Sequence, residues 1–467
     1  MSPAARMDTD PLFTLTLAGL ARCAEGRLVG EDRAVDGIST DSRSLRAGQL
    51  FVALRGDRFD GHEFASAAAA RGAGGLLVER PLPIDLPQVL VPDTLQALTA
   101  CARAQRRRFR HPVVAVTGSN GKTTTKEMIG AILSRKGPCL ITKGNLNNHI
   151  GVPLTLLDLR QEHRHAVIEM GANHGGEIAH LASIAEPGIA LVTNAGAAHL
   201  EGFGSLDGVA AGKGELFASL PSDGVAVINA DDRYASLWRS AAAGRGLLTF
   251  GVEHPADFTA RHIVTSLESN GPRQQFDLVT PIGTERVCLD LAGLHNLRNA
   301  LAAAAAAHAA GADFVDIAAG LAAVRPVKGR LEFRRAINGA LLVDDSYNAN
   351  PASVRAGLDT FRAVTGPRWL VLGDMMELGS GAGLLHAEIG RYAKETGIER
   401  LLALGPQSRF AVDAFGAGGV WFEDIDDLIA EAQRSLVPDV VVLVKGSRAN
   451  RLERVTAALA RAQTENP

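Results

Sequence analysis

The sequence predicts an α/β protein with a small mixed α/β N-terminal domain, a central parallel-sheet domain and a C-terminal Rossmann-like, doubly wound domain. Short apolar runs alternate with helical stretches through the middle and last parts of the chain, which is typical of parallel strands covered by helices. This alternation restarts near Arg325, which indicates a second such unit. A length of 467 residues also exceeds what one hydrophobic core usually supports. We therefore expect three domains, at residues 1–110, 111–325 and 326–467.

The first domain is expected to mix short strands with helices. Its predicted strands are Gly48–Leu54, Gly75–Glu79 and Val89–Val91, and its predicted helices are Gly61–Gly72 and Asp93–Phe109. The basic cluster Arg106–Arg108, with Arg110, closes the domain. Because no aromatic residues interleave with it, this cluster is typical of a solvated helix end and a domain linker, and less so of a polyanion site.

The stretch Val113–Lys126 reads V-V-A-V-T-G-S-N-G-K-T-T-T-K and is typical of a phosphate-binding loop. Val113–Val116 predicts a buried strand, and Lys126–Leu133 predicts a helix. The glycines between them let backbone N–H groups approach a phosphate, and the helix N-terminus adds positive charge. A P-loop ATPase domain is therefore predicted, with a flexible glycine turn as the alternative. Val116 replaces the usual first glycine and shortens the motif to T-G-x-x-G-K-T.

Two side chains complete this predicted loop. The Lys122 ammonium group would neutralise phosphate charge, and the Thr123 hydroxyl group would be offered to Mg²⁺.

The remaining elements extend the same alternation. The central domain is predicted to contain strands at Ala166–Ile168, Ile189–Thr193 and Val225–Ile228, an antiparallel insertion within Thr259–Asp290, and a helix at Leu297–Ala310. The last domain is predicted to contain strands at Ala340–Val343, Trp369–Leu372, Arg400–Leu404 and Val440–Val444.

Ligands of open α/β sheets bind beyond the carboxyl ends of the strands, so polar residues after each apolar run are candidates. Glu169 is placed to hold Mg²⁺, although alone it would more simply be an exposed strand-end charge. His199 is a candidate ligand of a second hard cation, with a surface or core histidine as the alternative. Lys213 is expected to open a helix within Gly212–Glu215, and a plain surface lysine is the default. Asp345 is a candidate for holding a ribose or a second substrate, or else a structural Asx-turn.

Composition excludes several classes of function. A net charge of −3 argues against a nucleic-acid binder that depends on bulk electrostatics. No apolar run reaches membrane-spanning length, and Met1–Asp10 looks like a loose polar tail and not a signal peptide. The four cysteines are far apart and lack metal-ligand spacing, which favours reduced thiols in a cytoplasmic protein. A monomer without nucleic-acid or membrane partners is expected.

Ten motifs in chain order, the phosphate loop among them, resemble those of the Mur ligase family, the ATP-dependent amide-bond ligases of peptidoglycan precursor synthesis. The resemblance covers nearly the whole chain. Its motifs are D-S-R at 41–43, T-G-S-N-G-K-T-T at 117–124, N-N-H-I-G-V-P at 147–153, E-M-G-A-N-H-x-G-E-I at 169–178, N-A-G-x-x-H-L at 194–200, K-G-E-L-F at 213–217, H-N-x-x-N at 295–299, G-R at 329–330, D-D-S-Y-N-A-N-P at 344–351 and G-D-M-x-E-L-G at 373–379.

The resemblance implies a role for each matching residue. The loop residues Gly118, Ser119, Asn120, Gly121, Lys122, Thr123 and Thr124 would hold the phosphates of ATP. The metal ligands would be Thr123, Glu169, His199 and Lys213, the last as a carbamate formed with CO₂. Asn296 and Asn299 would face the adenine, Asp345 the ribose and Arg330 the γ-phosphate. Substrate would be bound by Ser42, Arg43, Asp57, Arg58, Phe59, Asn147 and Asn148.

The motifs are most similar to those of members that add D-alanyl-D-alanine to UDP-N-acetylmuramoyl-tripeptide. This implies ATP as co-substrate, two Mg²⁺ ions, and an acyl phosphate between phosphoryl transfer and amide formation. The D-N-P-R loop by which a relative recognises diaminopimelate is absent from the sequence. The alternatives are a relative that adds another amino acid, a folylpolyglutamate-type ligase, and a P-loop switch NTPase.

Overall fold

The computed structural model describes residues 15–56, 59–268, 271–362 and 366–460, and these residues form four β-sheets. The predicted tail Met1–Asp10 lies outside the described residues, as do Asp57 and Arg58. No helix in the described ranges is long and apolar enough to cross a membrane.

The first sheet has five strands in the order β1-β5-β4-β3-β2, and only the β1–β5 pair is antiparallel within it. The predicted helix Gly61–Gly72 divides into a 3₁₀ turn, Gly61–Phe64, and a shorter α-helix. The elements are β1 (Arg27–Val29), β2 (Ile38–Ser39), β3 (Leu50–Val52), β4 (Gly75–Val78), β5 (Gln88–Leu90), α1 (Leu17–Cys23), α2 (Ala65–Ala70) and α3 (Thr94–Arg108).

Arg106, near the end of α3, differs from the predicted solvated helix end. Its guanidinium group donates to the carbonyl oxygens of Ala185 and Glu186, both at 2.6 Å. These carbonyls lie at the end of a helix of the central unit, where backbone oxygens lack helical partners. Arg106 therefore ties α3 to the central sheet, which the basic run alone does not reveal.

The central sheet is parallel throughout, with the order β11-β10-β9-β6-β8-β7. The predicted strands are confirmed, and the fully buried strand β6 lies between β9 and β8. The elements are β6 (Val113–Thr117), β7 (Cys139–Ile141), β8 (His165–Glu169), β9 (Ile189–Val192), β10 (Val225–Asn229), β11 (Gly246–Phe250), α4 (Lys122–Leu133), α5 (Gly151–Leu157), α6 (Glu177–Ala185), α7 (Leu200–Phe203), α8 (Leu206–Ala218) and α9 (Ala235–Ala241).

A three-stranded antiparallel sheet follows, as predicted for residues 259–290. Its strands are β12 (Thr259–Glu268), β13 (Gly271–Thr280) and β14 (Gly283–Leu289), and two helices come next, α10 (Leu294–Ala309) and α11 (Phe314–Ala323). The alanines of α10 from Ala300 to Ala307 are buried, and this helix packs on α4. Small side chains let the two helices approach closely, so α10 supports the helix that leaves the phosphate loop.

The last sheet has the order β15-β16-β20-β17-β18-β19, with only β15 antiparallel to its neighbour. Because β20 lies between β16 and β17, the loops that follow these three strands meet at one crevice. The elements are β15 (Glu332–Arg335), β16 (Leu341–Asp345), β17 (Arg368–Gly373), β18 (Arg400–Leu404), β19 (Gly419–Phe422), β20 (Val441–Lys445), α12 (Pro351–Phe361), α13 (Ala382–Glu395), α14 (Ser408–Phe415), α15 (Ile425–Ser435) and α16 (Glu453–Leu459). The α/β class is confirmed, and the exact domain limits stay a prediction.

Candidate active site

The turn between β6 and α4 requires glycine at two positions. Gly118 has φ +141°, and a Cβ atom there would lie 1.9 Å from the Thr193 hydroxyl oxygen. Gly121 has φ +81°, and a Cβ atom there would lie 2.3 Å from Oδ1 of Asn299. The loop therefore fits tightly between the end of β9 and helix α10. Gly121 turns the chain directly into α4, so the helix begins at Lys122, earlier than the predicted Lys126.

The loop lines a cavity of about 550 Å³ between the central and last sheets. No side chain of the described residues caps the N-terminus of α4, so its first backbone N–H groups stay available to an anion. Six of the seven predicted phosphate-binding residues line the cavity, namely Ser119, Asn120, Gly121, Lys122, Thr123 and Thr124. A loop with free N–H groups and tight glycines fits a bound triphosphate.

Lys122 holds its ammonium group against the loop itself. Its Nζ atom donates to the carbonyl oxygens of Gly118 at 2.6 Å and Ser119 at 3.3 Å. Burial lowers the pKa of Lys122, and so does the charge of Arg330, while the charge of Glu169 raises it. The ammonium group is thus placed at the mouth of the loop where a phosphate would replace the two carbonyl contacts.

Glu169 is the last residue of β8 and is only 2% exposed, so it is not the exposed strand-end charge that was the simpler alternative. Its Oε1 accepts a hydrogen bond from Asn147 Nδ2 at 2.8 Å, and its Oε2 lies 3.8 Å from Nζ of the buried Lys126. Among the described residues, Oε2 has no hydrogen-bond partner. A buried carboxylate oxygen that accepts no hydrogen bond and has only a 3.8 Å contact with a lysine suits a hard cation, so Glu169 fits a Mg²⁺ ligand.

His199 precedes α7 with a left-handed backbone, φ +55°. Its Nδ1 contacts the carboxylate of Glu377, which lies in the loop after β17. Burial lowers the pKa of His199, and the charge of Glu377 opposes that shift. The imidazole therefore stands where the central and last sheets face each other.

Lys213 lies inside α8, so the prediction that it opens a helix is wrong. The helix begins after Ser205, whose hydroxyl group accepts the N–H of Gly208 as an N-cap. Lys213 is 1% exposed, and its Nζ lies 5.3 Å from the ring centroid of Phe203. Burial first, and then the charge of Lys122, lowers the pKa of Lys213 to about 7.

The glycines beside Lys213 serve packing. A Cβ atom at Gly212 would lie 2.4 Å from the Phe203 ring, and one at Gly214 would lie 3.1 Å from Trp238. Lys213 and its two flanking glycines therefore lie in the close-packed interior of the helix. The glycines serve this packing and do not mark a helix start.

The predicted catalytic residues share one electrostatic neighbourhood around Lys122. The charges of Glu169 and Arg330 shift the pKa of Lys122, and the charge of Lys122 lowers the pKa values of His199 and Lys213. The charges of these five residues, separated by as many as 208 positions in the sequence (122 to 330), therefore act on one another. Of the five, Lys122 and Arg330 line the cavity itself.

The last sheet contributes residues from across the cleft. Arg330 Nη2 donates to the Thr123 hydroxyl oxygen at 3.1 Å, and its guanidinium group stacks 4.4 Å from the Tyr347 ring centroid. Asn350 Nδ2 donates to Asn120 Oδ1 at 2.7 Å. The phosphate loop is therefore bonded at two points to the last unit.

Asp345 is the last residue of β16 and pairs with Lys445 Nζ at 2.5 Å. Burial raises the pKa of Asp345, and the charge of Lys445 opposes the rise. Asn296 and Asn299 are buried, line the same cavity and are joined by a 3.3 Å hydrogen bond. The predicted adenine and ribose residues therefore lie in the cavity of the phosphate loop.

The described substrate residues of the first unit, Ser42, Arg43 and Phe59, lie outside that cavity. Arg43 is exposed and pairs with Asp41 at 2.8 Å, Ser42 lies beside it, and Phe59 is 61% exposed. Asn148 is also exposed, and its Oδ1 accepts from the N–H groups of Ile150 and Gly151 at the start of α5, which is a structural role. Of this predicted set, Asn147 alone contacts a cleft residue in the described part of the chain.

The cleft residues that were missed from the sequence include Tyr347, Glu377 and Lys445. Tyr347 and Glu377 lie inside motifs of the resemblance but carried no assigned role. Lys445 could have been recognised as a candidate from the sequence, because it is a charged residue at the end of the apolar strand β20.

Comparisons with known proteins agree with this geometry. The chain matches "Mur ligase family, catalytic domain" over residues 34–135, "Mur ligase middle domain" over 116–307 and "Mur ligase, glutamate ligase domain" over 329–448. It is 47% identical over 451 residues to UDP-N-acetylmuramoyl-tripeptide–D-alanyl-D-alanine ligase of Escherichia coli K12, covering 96% of this chain and 99% of that relative.

Solved structures give the same result. MurF from Acinetobacter baumannii superposes with a TM-score of 0.87 at 37% identity, covering 97% of this chain and 99% of that chain. MurF ligase from Thermotoga maritima in complex with ADP superposes with a TM-score of 0.78 at 29% identity, covering 90% and 96%. The family predicted from the ordered motifs is confirmed: this chain belongs to the Mur ligase family.

Proposed function

We propose that this chain is an ATP-dependent ligase that joins D-alanyl-D-alanine to UDP-N-acetylmuramoyl-tripeptide, with UDP-N-acetylmuramoyl-pentapeptide, ADP and phosphate as products. The observation that carries the proposal is the meeting of the phosphate loop with Arg330, beside the buried carboxylate of Glu169. The relative from Escherichia coli that carries this ligase name is aligned over 96% of the chain.

We propose one substrate for each domain. Residues 1–110 would hold the UDP-sugar, residues 111–325 would hold ATP, and residues 326–467 would hold the incoming dipeptide. Ser42, Arg43, Asp57, Arg58, Phe59, Asn147 and Asn148 are the proposed contacts of the UDP-substrate. Because the described residues of the first unit do not line the cavity, the substrate would have to be long enough to reach from one domain to another.

The reaction would proceed in two steps, phosphoryl transfer and then amide formation. The terminal carboxylate oxygen of the tripeptide attacks the γ-phosphorus of ATP, a new P–O bond forms, and the bond to the ADP oxygen breaks. The ammonium group of the dipeptide first loses one proton to water, and the resulting neutral amine attacks the acyl carbonyl carbon. The C–N bond forms, and phosphate leaves while the nitrogen loses its second proton. Lys122 and Arg330 would neutralise the charge of the transferred group, which is the main requirement of phosphoryl transfer.

Asn296 and Asn299 would face the adenine, and Asp345 would face the ribose. Thr123, Glu169, His199 and Lys213 would hold two Mg²⁺ ions, and the free buried oxygen of Glu169 supports this assignment. When bound, Mg²⁺ supplies positive charge to the phosphate oxygens. The chain's own contribution is to orient the phosphates through the loop N–H groups and to keep water out of the cleft.

Lys213 is the proposed site of a carbamate. A neutral amine adds to CO₂, the N–C bond forms, and one proton is released, so that a cation becomes an anion. The buried position of Lys213 supports the neutral amine, because its pKa is lowered to about 7. A buried carbamate would then need cationic partners, and Mg²⁺ and Lys122 would provide them.

We further propose that the enzyme acts in the cytoplasm as a monomer, with no nucleic-acid partner. The four cysteines are free in the described part of the chain, which fits a reducing compartment.

An amine panel tests the function. Phosphate release would be measured with ATP and UDP-N-acetylmuramoyl-tripeptide while D-alanyl-D-alanine, D-alanine, L-lysine or glutamate is supplied in turn. We expect release only with D-alanyl-D-alanine. Release without any amine or peptide substrate would favour a switch NTPase, and release with glutamate would favour a folylpolyglutamate-type ligase.

A further inference from the structure

Glu377 is a carboxylate that the last sheet presents to the cleft on a rigid loop. The loop follows β17 and is held by hydrogen bonds from Met375 N to His386 Nε2 at 2.9 Å and from Met376 N to Ser447 Oγ at 3.0 Å. Glu377 itself has φ +62°, a left-handed conformation that costs a non-glycine residue energy. A strained residue held by a well-bonded loop points to a functional placement.

The Glu377 carboxylate differs from Asp345, Asp231 and Glu169 because it is half exposed and pairs only with a histidine among the described residues. Asp345 is paired with Lys445, and Asp231 with Arg298. Glu169 is buried. Glu377 contacts His199 across the cleft, yet its side chain remains 52% exposed. It is thus a solvent-accessible negative charge beside the predicted metal ligand His199.

The proposed reaction needs such a charge. The incoming dipeptide arrives with an ammonium group, and the cleft presents the cations Lys122 and Arg330, which would repel it. The dipeptide must nevertheless place its nitrogen close to the acyl phosphate that these cations stabilise. A carboxylate on the last domain, opposite His199, offsets that repulsion where the two domains meet.

We propose that Glu377 binds the ammonium group of the incoming dipeptide and places its nitrogen beside the acyl phosphate. This inference rests on the proposed function and adds a residue that recognises the amine. Glu377 would act on the second substrate only, since phosphoryl transfer from ATP to the tripeptide does not involve that ammonium group.

The test compares the Glu377→Gln variant with the wild-type enzyme for each substrate. We expect the KM for D-alanyl-D-alanine to rise about 10–100-fold, the range for losing a hydrogen bond to a charged group. The KM values for ATP and the tripeptide should stay within about twofold of the wild-type values. Acyl phosphate formed without dipeptide, trapped by hydroxylamine as the hydroxamate, should appear at the wild-type rate.

Two further variants sharpen the comparison. Glu377→Asp keeps the charge, so its KM for the dipeptide should lie nearer to the wild-type value than that of Glu377→Gln. Glu399→Gln is the matched control, because Glu399 is an exposed acid of the same domain just before β18, at the opposite end of the sheet from the crevice. It should leave every KM unchanged.

Several outcomes would overturn the inference. An unchanged KM for the dipeptide in Glu377→Gln would remove its role in binding the amine. Slower hydroxamate formation or a changed Mg²⁺ requirement would indicate that Glu377 binds a cation instead. A rise in all three KM values would indicate that Glu377 mainly holds the two domains together. Failure of the wild-type enzyme to form any hydroxamate would instead contradict the proposed function.

Discussion

Lys122 and Lys213 show how one cleft holds two lysines in different states. Lys122 donates to two loop carbonyls and is ready to exchange them for phosphate oxygens. Lys213 lies against the Phe203 ring in a helix interior, and its Nζ is 3.5 Å from the carbonyl oxygen of Ala172. Burial lowers the pKa of both lysines. The ammonium group of Lys122 has two carbonyl acceptors, whereas the apolar surroundings of Lys213 favour the neutral amine.

The substitution Lys122→Ala should remove turnover while leaving the fold intact. We expect kcat to fall by about 10²–10³-fold or more, because the transferred phosphoryl group loses a preorganised charge. The measurement is phosphate release with all three substrates, with circular dichroism as the folding control. Wild-type kinetics in this variant would remove Lys122 from the phosphate site.

The substitution Lys213→Met should stabilise the protein most at and below neutral pH. The pKa of Lys213 is about 7 in the folded protein and about 10.4 when unfolded. Between these values the unfolded chain binds the extra proton, so the wild-type free energy of unfolding rises with pH, and Lys213→Met lacks that rise. From pH 7.5 to 9.5 the variant's advantage should shrink by up to about 3 kcal/mol.

This prediction is checked by urea unfolding at both pH values in CO₂-free buffer. An advantage that does not change with pH would show that Lys213 is charged in the folded protein. Added bicarbonate should stabilise the wild-type protein and leave Lys213→Met unaffected if the carbamate forms.

At the scale of elements, the turn from β6 into α4 depends on backbone space as well as backbone conformation. Gly121 and Gly176 are both N-cap residues with left-handed backbones, at φ +81° and φ +85°. A Cβ atom at Gly121 would strike Asn299, whereas a Cβ atom at Gly176 would meet nothing within 4 Å. Substitutions at the two glycines therefore distinguish the cost of a left-handed backbone from the cost of a steric clash.

Gly176→Ala should cost about 1–2 kcal/mol of unfolding free energy from left-handed strain alone. Gly121→Ala should cost about 1–3 kcal/mol more, since Asn299 must move, and should also weaken binding of ADP. Thermal unfolding and ADP titration of both variants give the comparison. Equal stability losses and equal ADP affinities would contradict the close fit between the loop and α10.

The strands could be predicted because apolar runs such as Val113–Val116 carry their own signal of burial. The start of α8 could not, because the run Gly212–Glu215 resembles a helix opening until Phe203 and Trp238 are seen packed on its glycines. Arg106 was misjudged for a similar reason, since its carbonyl partners at Ala185 and Glu186 are about 80 residues away in the chain.

At the scale of the whole molecule, three polar side-chain contacts among the described residues join the central and last units across the cleft. They are Arg330 with Thr123, Asn350 with Asn120, and Glu377 with His199. The phosphate loop could be located because it follows the apolar run of β6, and the metal roles of Glu169, His199 and Lys213 stay predictions. Lys445 and Glu377 could not be assigned roles, because their partners Asp345 and His199 come from distant strand ends.

The substitution Asn350→Ser tests the cross-cleft contact by itself. Asn350 caps α12 through Oδ1 and reaches Asn120 through Nδ2, and serine keeps the cap but loses the second bond. We expect the KM for ATP to rise about fivefold, from the loss of about 1 kcal/mol. The unfolding free energy should change by less than about 0.5 kcal/mol.

Steady-state kinetics and urea unfolding give these two quantities. Asn350→Ala serves as the comparison, because it loses the cap as well and should be less stable by about 1 kcal/mol. An unchanged KM for ATP in Asn350→Ser would show that the contact does not help to form the nucleotide site.

The contacts from Arg330 and Asn350 span 207 and 230 residues of chain. A ribosome adds roughly 5–20 residues per second, so the phosphate loop emerges about 10–50 s before its partners from the last sheet. Throughout that interval the nascent polypeptide contains the phosphate loop but not yet Arg330, which contacts Thr123 in the finished protein. An unfinished chain therefore has no complete site with which to consume nucleotide, and the order of synthesis itself delays activity until the enzyme is whole.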